Sequence, residues 1–429
     1  MIHLDEHAPV WLVVAILAAT VVVAIVARRA AIPASVGLVV VGLAVAVLGP
    51  DVRVPISPGL LLAIVLPGLV FEAAFRTDLA VLRPAAGAVL FLAIPGVVIV
   101  AALVAVVLTL TTALEPAEAF LVGAMVAATD PAAVLSTFRH VPVPPRLATI
   151  VEMESLVNDG TGIVLFGLAL EVLAGNGSVG GSIVSFVVTV VGGGAIGLAA
   201  GWLAARLVRR VEDHLTEVTI TVVLAYGAYL AADATGFSGV IATLVAAGAF
   251  GAFARHALSP AAVAAIDVVW EFAAFLLTAG VFLIVGLSIA PDALVAAAGA
   301  IGWGIVAILV ARAAVVYGLL GGGSALGRGL VAQNDTMAGA NGDQVRARGM
   351  SPGRERGGPD VTIPAAWLHV VFWAGLRGAV SVALALSLPV GLEHRELLQG
   401  VTFGIVLFTL FVQGSTAGWV VRRVGATAA

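Results

Sequence analysis

The chain of 429 residues is 61% hydrophobic and 11% charged, with a formal net charge of −4 and a mean hydropathy of +1.14; this composition excludes an ordinary water-soluble domain. It has no cysteine, which removes disulfides, thiolate catalysis and zinc–thiolate sites. All 21 basic residues are arginine, and the small net charge says little when most of the chain is apolar.

Apolar runs of about 20 residues, each long enough to cross ~30 Å of hydrocarbon, recur along the chain. In order they fall near residues 9–27, 33–49, 59–75, 84–112, 115–137, 146–173, 179–205, 215–233, 237–254, 265–289, 292–320, 364–389 and 396–421. They predict an all-α integral membrane fold with about 13 transmembrane helices. The runs are continuously apolar, which excludes a β-barrel. The run at 84–112 exceeds the bilayer and must tilt or kink at Pro95. Asp5 and Glu6 precede the first run without a basic stretch, so that run reads as a retained span and not a cleaved signal.

Arginines cluster in the loops after odd-numbered runs: Arg28, Arg29, Arg76, Arg83, Arg139, Arg146, Arg206, Arg209, Arg210 and Arg255, with more in the loop after the eleventh run and in the tail. The opposite side carries Arg53 and Arg395. This asymmetry predicts an N-terminus outside and a C-terminus in the cytoplasm, and it requires an odd number of spans. The polar stretch at 321–363 is rich in Gly, Asn, Asp and Arg and reads as a disordered cytoplasmic linker. Its Gly321-Gly322-Gly323 run lacks the spacing and lysine of a phosphate loop, so no nucleotide, nucleic acid or other cofactor is expected. Few residues follow the last run, which argues against an ATP-driven pump.

The fifth run contains Ala127-Ala128-Thr129-Asp130-Pro131. Proline removes a backbone donor and disfavours helical geometry at Asp130, so the helix breaks there. Broken membrane helices persist where the freed backbone lines a cavity or is buried in protein. Asp130 can cap the second half-helix, help to build an ion site, or both. The sixth run reads Glu152-Met153-Glu154-Ser155-Leu156-Val157-Asn158-Asp159-Gly160. Helical spacing stacks Ser155 under Asp159 and Glu154 under Asn158 on adjoining faces. The first face offers a carboxylate and a hydroxyl to a hard monovalent cation; the second suits a guanidinium. Asp159 lies about 20 Å along the helix at ~1.5 Å per residue, and ionisable groups at such depth mark ion and proton pathways.

The twelfth run carries Gly375-Leu376-Arg377-Gly378. Two glycines weaken the helix there, and a guanidinium at mid-depth needs carboxylate partners, with Glu154 and the broken fifth run as the natural candidates. Glu72 in the third run lies four residues before Arg76 and fits either a helical ion pair or an ion-binding role. Arg312, Asp267 and Glu271 lie near span ends, where structural pairing is expected. The seven histidines fall mostly in loops or at span ends, and the sequence assigns none of them a role. The two interrupted runs are each fifth in a set of six if the seventh run is a connector. An offset of seven spans then inverts one set against the other, an arrangement that points to a transporter's binding site. The sets cover about 9–173 and 215–421, with the connector near 179–205.

Four stretches together resemble the monovalent cation:proton antiporter family, in its electroneutral NhaP/NHE-like branch. They are Leu66-Pro67-Gly68-Leu69-Val70-Phe71-Glu72, Ala128-Thr129-Asp130-Pro131, Glu154-Ser155-Leu156-Val157-Asn158-Asp159-Gly160 and Gly375-Leu376-Arg377-Gly378. The resemblance implies an NhaA-like antiporter fold, two inverted six-helix repeats whose broken helices 5 and 12 cross at mid-membrane. It implies that Asp159 carries cation and proton in turn, that Ser155, Thr129 and Glu72 help to coordinate the transported Na⁺, and that Asp130, Glu154, Asn158 and Arg377 hold the crossing together. It further implies a homodimer in the cell membrane, with a six-helix core moving against a dimerisation domain.

The expected activity is therefore exchange of Na⁺ or Li⁺ for H⁺ by competition at Asp159, with K⁺/H⁺ exchange as the nearer alternative. Asn158 cannot carry a proton, and family members with two adjacent aspartates are associated with electrogenic exchange, so one-for-one electroneutral exchange is expected. An intramembrane aspartyl protease would also use two buried aspartates. The Gly-x-Gly-Asp and Tyr-Asp contexts of that family are absent, and Arg377 would have no purpose there.

Overall fold

The computed structural model describes residues 8–30, 34–48, 58–138, 140–175, 179–211, 213–254, 258–289, 291–321 and 363–426. All regular structure among them is helical. The expected linker lies almost wholly outside the described residues, as do Asp5, Glu6, Arg53, Arg139 and Arg255.

Among the described residues thirteen apolar helical stretches follow one another, numbered here α1 to α13. The first three are α1 (Ala8–Ala30), α2 (Ala34–Leu48) and α3 (Pro58–Arg76). Then comes α4, in two segments, Leu79–Ala93 and Pro95–Thr111, separated at Ile94 where Pro95 withdraws its backbone donor. Next are α5 (Pro116–Ala127 and Ala132–Phe138), α6 (Pro145–Leu173), α7 (Val179–Val208), α8 (His214–Asp233), α9 (Gly239–Ala254) and α10 (Pro260–Leu287). Three segments make up α11: Pro291–Ala296, Ala298–Ala313 and a π-helical end, Ala314–Gly321. The interrupted α12 is Ala365–Trp373 and Ala379–Leu386, and α13 joins Arg395–Phe408, a π-helical turn Thr409–Gly414, and Ser415–Arg423. Nine spans among the described residues are long and apolar enough to cross a bilayer by length and composition, and α2, α9 and Ile16–Ala27 of α1 are shorter apolar helices.

Local chemistry sets the helix starts. Asp78 accepts from the Ala80 amide at 2.8 Å, so α4 begins five residues before the expected 84, with Pro84 tolerated inside it. Ser259 caps α10, with Pro260 at the first helical position. The Glu115–Glu118 capping box opens α5.

The spans sort into two groups. One contains α4, α5 and α6 packed with α11, α12 and α13; the other contains α1, α2, α3, α7, α8, α9 and α10. The groups meet where α6 touches α3, α7 and α9, where the second half of α12 touches α3 and α10, and where α2 touches the second half of α5 and the π turn of α13. Within the second group α2 and α10 approach backbone to backbone. A Cβ on Gly42 would lie 2.3 Å from the Leu283 carbonyl oxygen, and one on Gly286 would lie 2.3 Å from that of Val39. Small residues at such crossings are the usual means of close helix packing in lipid.

Candidate ion-binding site

Both sequence-expected interruptions are present, and they face each other. Between its two half-helices α5 is extended from Ala128 to Pro131, and α12 is non-helical from Gly375 to Gly378. The Asp130 amide donates to the Leu376 carbonyl at 2.8 Å, which joins the two breaks through the main chain. The Asp130 carboxylate accepts from the Ala132 amide at 3.0 Å and lies against Gly378, where the second half of α12 begins, next to the Ala379 amide. It thus caps the second half of α5 and the second half of α12 together. Two positive half-helix ends converge on one carboxylate, which compensates its charge. The contact is close: a Cβ on Gly378 would fall 2.0 Å from Asp130 Oδ2. Gly378→Ala is therefore expected to displace Asp130 and abolish function, and a purified variant should lose thermal stability; an unchanged melting temperature would contradict this packing.

On α6, Asn158 is buried and brackets the interruption of α5. Its Oδ1 accepts from the Thr129 amide at 3.1 Å, while its Nδ2 donates to Thr129 Oγ1 at 2.6 Å. The Thr129 and Ser155 hydroxyls are 2.8 Å apart. Backbone polarity left over by Pro131 is thereby satisfied from α6, as burial in an apolar bundle requires.

Arg377 is 0% exposed, the largest fully buried side chain among the described residues. Its amide donates to Thr409 Oγ1 at 3.0 Å, and its Nη1 donates to the Ala128 carbonyl at 3.3 Å. The guanidinium thus sits at the negative C-terminal end of the first half of α5. This corrects the expected direct pairing of Glu154 with Arg377. Glu154 is instead held by both terminal nitrogens of Arg312, one at 3.0 Å, and Arg312 Nη2 also donates to the Val371 carbonyl at 2.9 Å. Arg312 is 5% exposed and structurally paired, as expected for it, though its partner Glu154 on α6 is not one that the sequence named. The continuation of α11 beyond it as π-helix and the missing side chain at Gly375, where a Cβ would lie 2.8 Å from Arg312 Nε, give it room inside. Pairing across three helices leaves no spacing signal in the sequence, so neither this ion pair nor Thr409 was legible there.

Glu72 holds Arg76, one turn along α3, at 2.8 Å, and α3 packs on α6 and on the second half of α12. Asp159 differs from all these acids. It is half-buried in a stretch of α6 whose neighbours are otherwise buried, and no described residue donates a hydrogen bond to it or pairs with it. Ser155 lies one turn below it, and Asn158 and Thr129 are bonded to each other beside it. Among the described residues no three His, Cys, Asp or Glu side chains come together as a tight metal cluster. The site is one open carboxylate with neighbouring hydroxyls, the oxygen chemistry of a hard cation.

The chain matches the family model described as "Sodium/hydrogen exchanger, transmembrane" over residues 15–423. It is 34% identical over 413 residues to the Na(+)/H(+) antiporter NhaS2 of a Synechocystis species, covering 96% of this chain and 70% of that protein. It is 35% identical over 398 residues to the Na(+)/H(+) antiporter ApNhaP of Aphanothece halophytica, covering 92% of this chain and 70% of that protein. The fold matches the solved sodium proton antiporter MjNhaP1 of Methanocaldococcus jannaschii with a TM-score of 0.71 at 17% identity, covering 97% of this chain and 98% of that one. On the family match and these relatives, the chain belongs to the sodium/hydrogen exchanger family, with the antiporter fold.

Proposed function

We propose that this multi-pass membrane protein exchanges Na⁺ for H⁺ one for one across the cell membrane, each ion in turn neutralising Asp159. The charge balance around the breaks carries this reading. Four carboxylates (Glu72, Asp130, Glu154 and Asp159) face three guanidiniums (Arg76, Arg312 and Arg377). Arg76 holds Glu72, Arg312 holds Glu154, and the helix ends compensate Asp130 and Arg377. One negative charge is left, on Asp159. A single H⁺ or a single Na⁺ cancels it, whereas the empty carboxylate keeps a charge that is costly inside the bilayer. Only the loaded site crosses readily, and this couples the two fluxes. Asn158, which supplies an amide where a second acid would double the charge, keeps the count at one.

Ser155 and Thr129 stand as the neutral oxygen ligands, and Glu72 enters the site only if its hold on Arg76 is exchanged for the cation. The mechanism needs no cofactor. In this reading two inverted six-helix repeats, near 9–173 and 215–421, contribute α4–α6 and α11–α13 respectively to a moving core, and the other group of spans holds the rest of each repeat with the connector α7. The arginine distribution places the N-terminus outside and the C-terminus in the cytoplasm. A second copy of the chain would pack along α7, which leaves Ile183, Val184, Val187, Val188 and Val191 exposed.

Purified protein in vesicles with imposed Na⁺, Li⁺ or K⁺ gradients tests this. Dye-reported proton movement should follow Na⁺ and Li⁺, and its rate should be insensitive to a potassium-clamped membrane potential. A steep voltage dependence at fixed gradients would overturn the one-for-one count, and movement with K⁺ alone would overturn the cation assignment.

A further inference from the structure

Next to Asp159 the two groups of spans meet across a residue that has no side chain. Gly160 is buried on α6, and a Cβ there would lie 2.9 Å from Ile241 Cδ1, 3.1 Å from Ile241 Cγ1 and 3.3 Å from Val240 Cγ1 on α9. The other glycines of α6 have different surroundings. A Cβ on Gly162 would lie 3.2 Å from that of Ala128, inside its own group, and one on Gly167 would meet nothing within 4 Å. The head of α9 is firmly seated on its own group. The Ser238 amide donates to the Thr189 carbonyl of α7 at 3.2 Å, and Thr243 Oγ1 donates to the Ala225 carbonyl of α8 at 3.2 Å. Along α7, a Cβ on Gly193, Gly197 or Gly201 would lie 2.5, 2.2 or 2.5 Å from the carbonyl oxygens of Ser238, Ala242 and Ala246 in turn. Val240 and Ile241 are 3% and 6% exposed, and branching at Cβ leaves them few rotamers.

We propose that Gly160 is a clearance point: its missing side chain lets α6 pass Ile241 as the core carries Asp159 across. Bulk at 160 then sets the turnover of exchange and leaves the binding of Na⁺ alone. This inference rests on the exchange reading and its moving core. At ~1.5 Å per residue Gly160 lies about 22 Å from the Pro145 end of α6, and Ile241 about 20 Å from the Ala254 end of α9. The contact therefore stands at the depth of Asp159. A core that slides by one helical turn, about 5 Å, must draw residue 160 across Ile241. Packed interiors do not deform continuously, and α7 and α8 hold the head of α9 in place. A methyl added at 160 must therefore be forced past Ile241 in transit, whereas Ser155, Asp159 and Thr129 keep their positions.

The test uses the full chain in vesicles, with the exchange rate measured over a range of Na⁺ concentrations. Gly160→Ala should lower the maximal rate about tenfold, the scale of one methyl forced against packed neighbours. The Na⁺ concentration at half-maximal rate should not move. The melting temperature should not fall, because alanine favours the helix; a merely structural contact would lower it. Gly167→Ala, with open space around it, should keep the full rate. Ile241→Val deletes Cδ1, the atom nearest the added methyl, and should restore most of the rate to Gly160→Ala. A full rate in Gly160→Ala, a loss that Ile241→Val does not relieve, or a raised half-maximal Na⁺ concentration overturns the proposal. Because the chain has no cysteine, cysteine pairs read the slide without ion movement. Gly160→Cys with Ile241→Cys should cross-link in the arrangement described. Gly160→Cys with Leu244→Cys or with Phe237→Cys, one turn to either side, should cross-link only after a slide. Passage slowed by the added side chain still completes within the minutes that cross-linking takes. Cross-linking at 241 alone overturns the proposal. If the unaltered chain moves no ions while a displaced pair cross-links, the exchange reading fails and the passage of Gly160 along α9 stands.

Discussion

Asp159→Asn should abolish Na⁺/H⁺ exchange while leaving the protein folded. Among the described residues none donates a hydrogen bond to this carboxylate, so the amide breaks none, and it removes a charge that only Arg377 offsets, from a distance. A charge at mid-bilayer costs about 2.5–3.5 kcal/mol on insertion scales, so the empty native site crosses on the order of a hundredfold less readily than a loaded one. An asparagine site is permanently neutral. It can cross, but it neither releases a proton nor holds Na⁺ by charge, and exchange should fall below detection. Dye-reported exchange in inverted vesicles, with size-exclusion chromatography of the same preparation, checks both halves. Normal exchange by this variant would show that another group carries the ions.

The largest effect on stability is expected at the Glu154–Arg312 pair. Arg312 makes three hydrogen bonds, two to Glu154 and one to the Val371 carbonyl, and thereby ties α6, α11 and the first half of α12. Removing one partner leaves the other as an uncompensated buried charge, which typically costs about 3–5 kcal/mol. Arg312→Met alone and Glu154→Gln alone should therefore each lower the melting temperature in detergent sharply. The double variant should recover much of the loss, because neither charge then remains. A double variant that loses the sum of the single effects would show that the pair is not coupled as the geometry describes.

The interruptions were legible in the sequence because Pro131, Gly375 and Gly378 act on their own backbone. The stacking of Ser155 and Asp159 was legible because helical spacing alone sets it. The partners were not. Arg312 stands some 160 positions from Glu154, and counting along a helix gave Arg377 that role because both lie deep. The same limit hid Thr409, which satisfies the Arg377 amide from a π-helical turn; periodicity in α13 does not reveal that turn. The early start of α4 is not legible because Arg83 and Pro84 look like a loop, whereas Asp78 supplies a cap six residues before the expected boundary. Each guanidinium at the breaks has its place: Arg76 on Glu72, Arg312 on Glu154 and Arg377 on the Ala128 carbonyl.

Asp130 closes the ends of two half-helices that belong to different spans, and the Asp130 amide is bonded to the Leu376 carbonyl. Pulling those spans apart would bare two rows of amide donors and strand an anion in oil. The crossing is therefore welded, and it has no joint of its own. Whatever turns Asp159 from one bath to the other must slip along the boundary that α6 and α12 share with α3, α9 and α10, carrying the knot through the membrane in one piece.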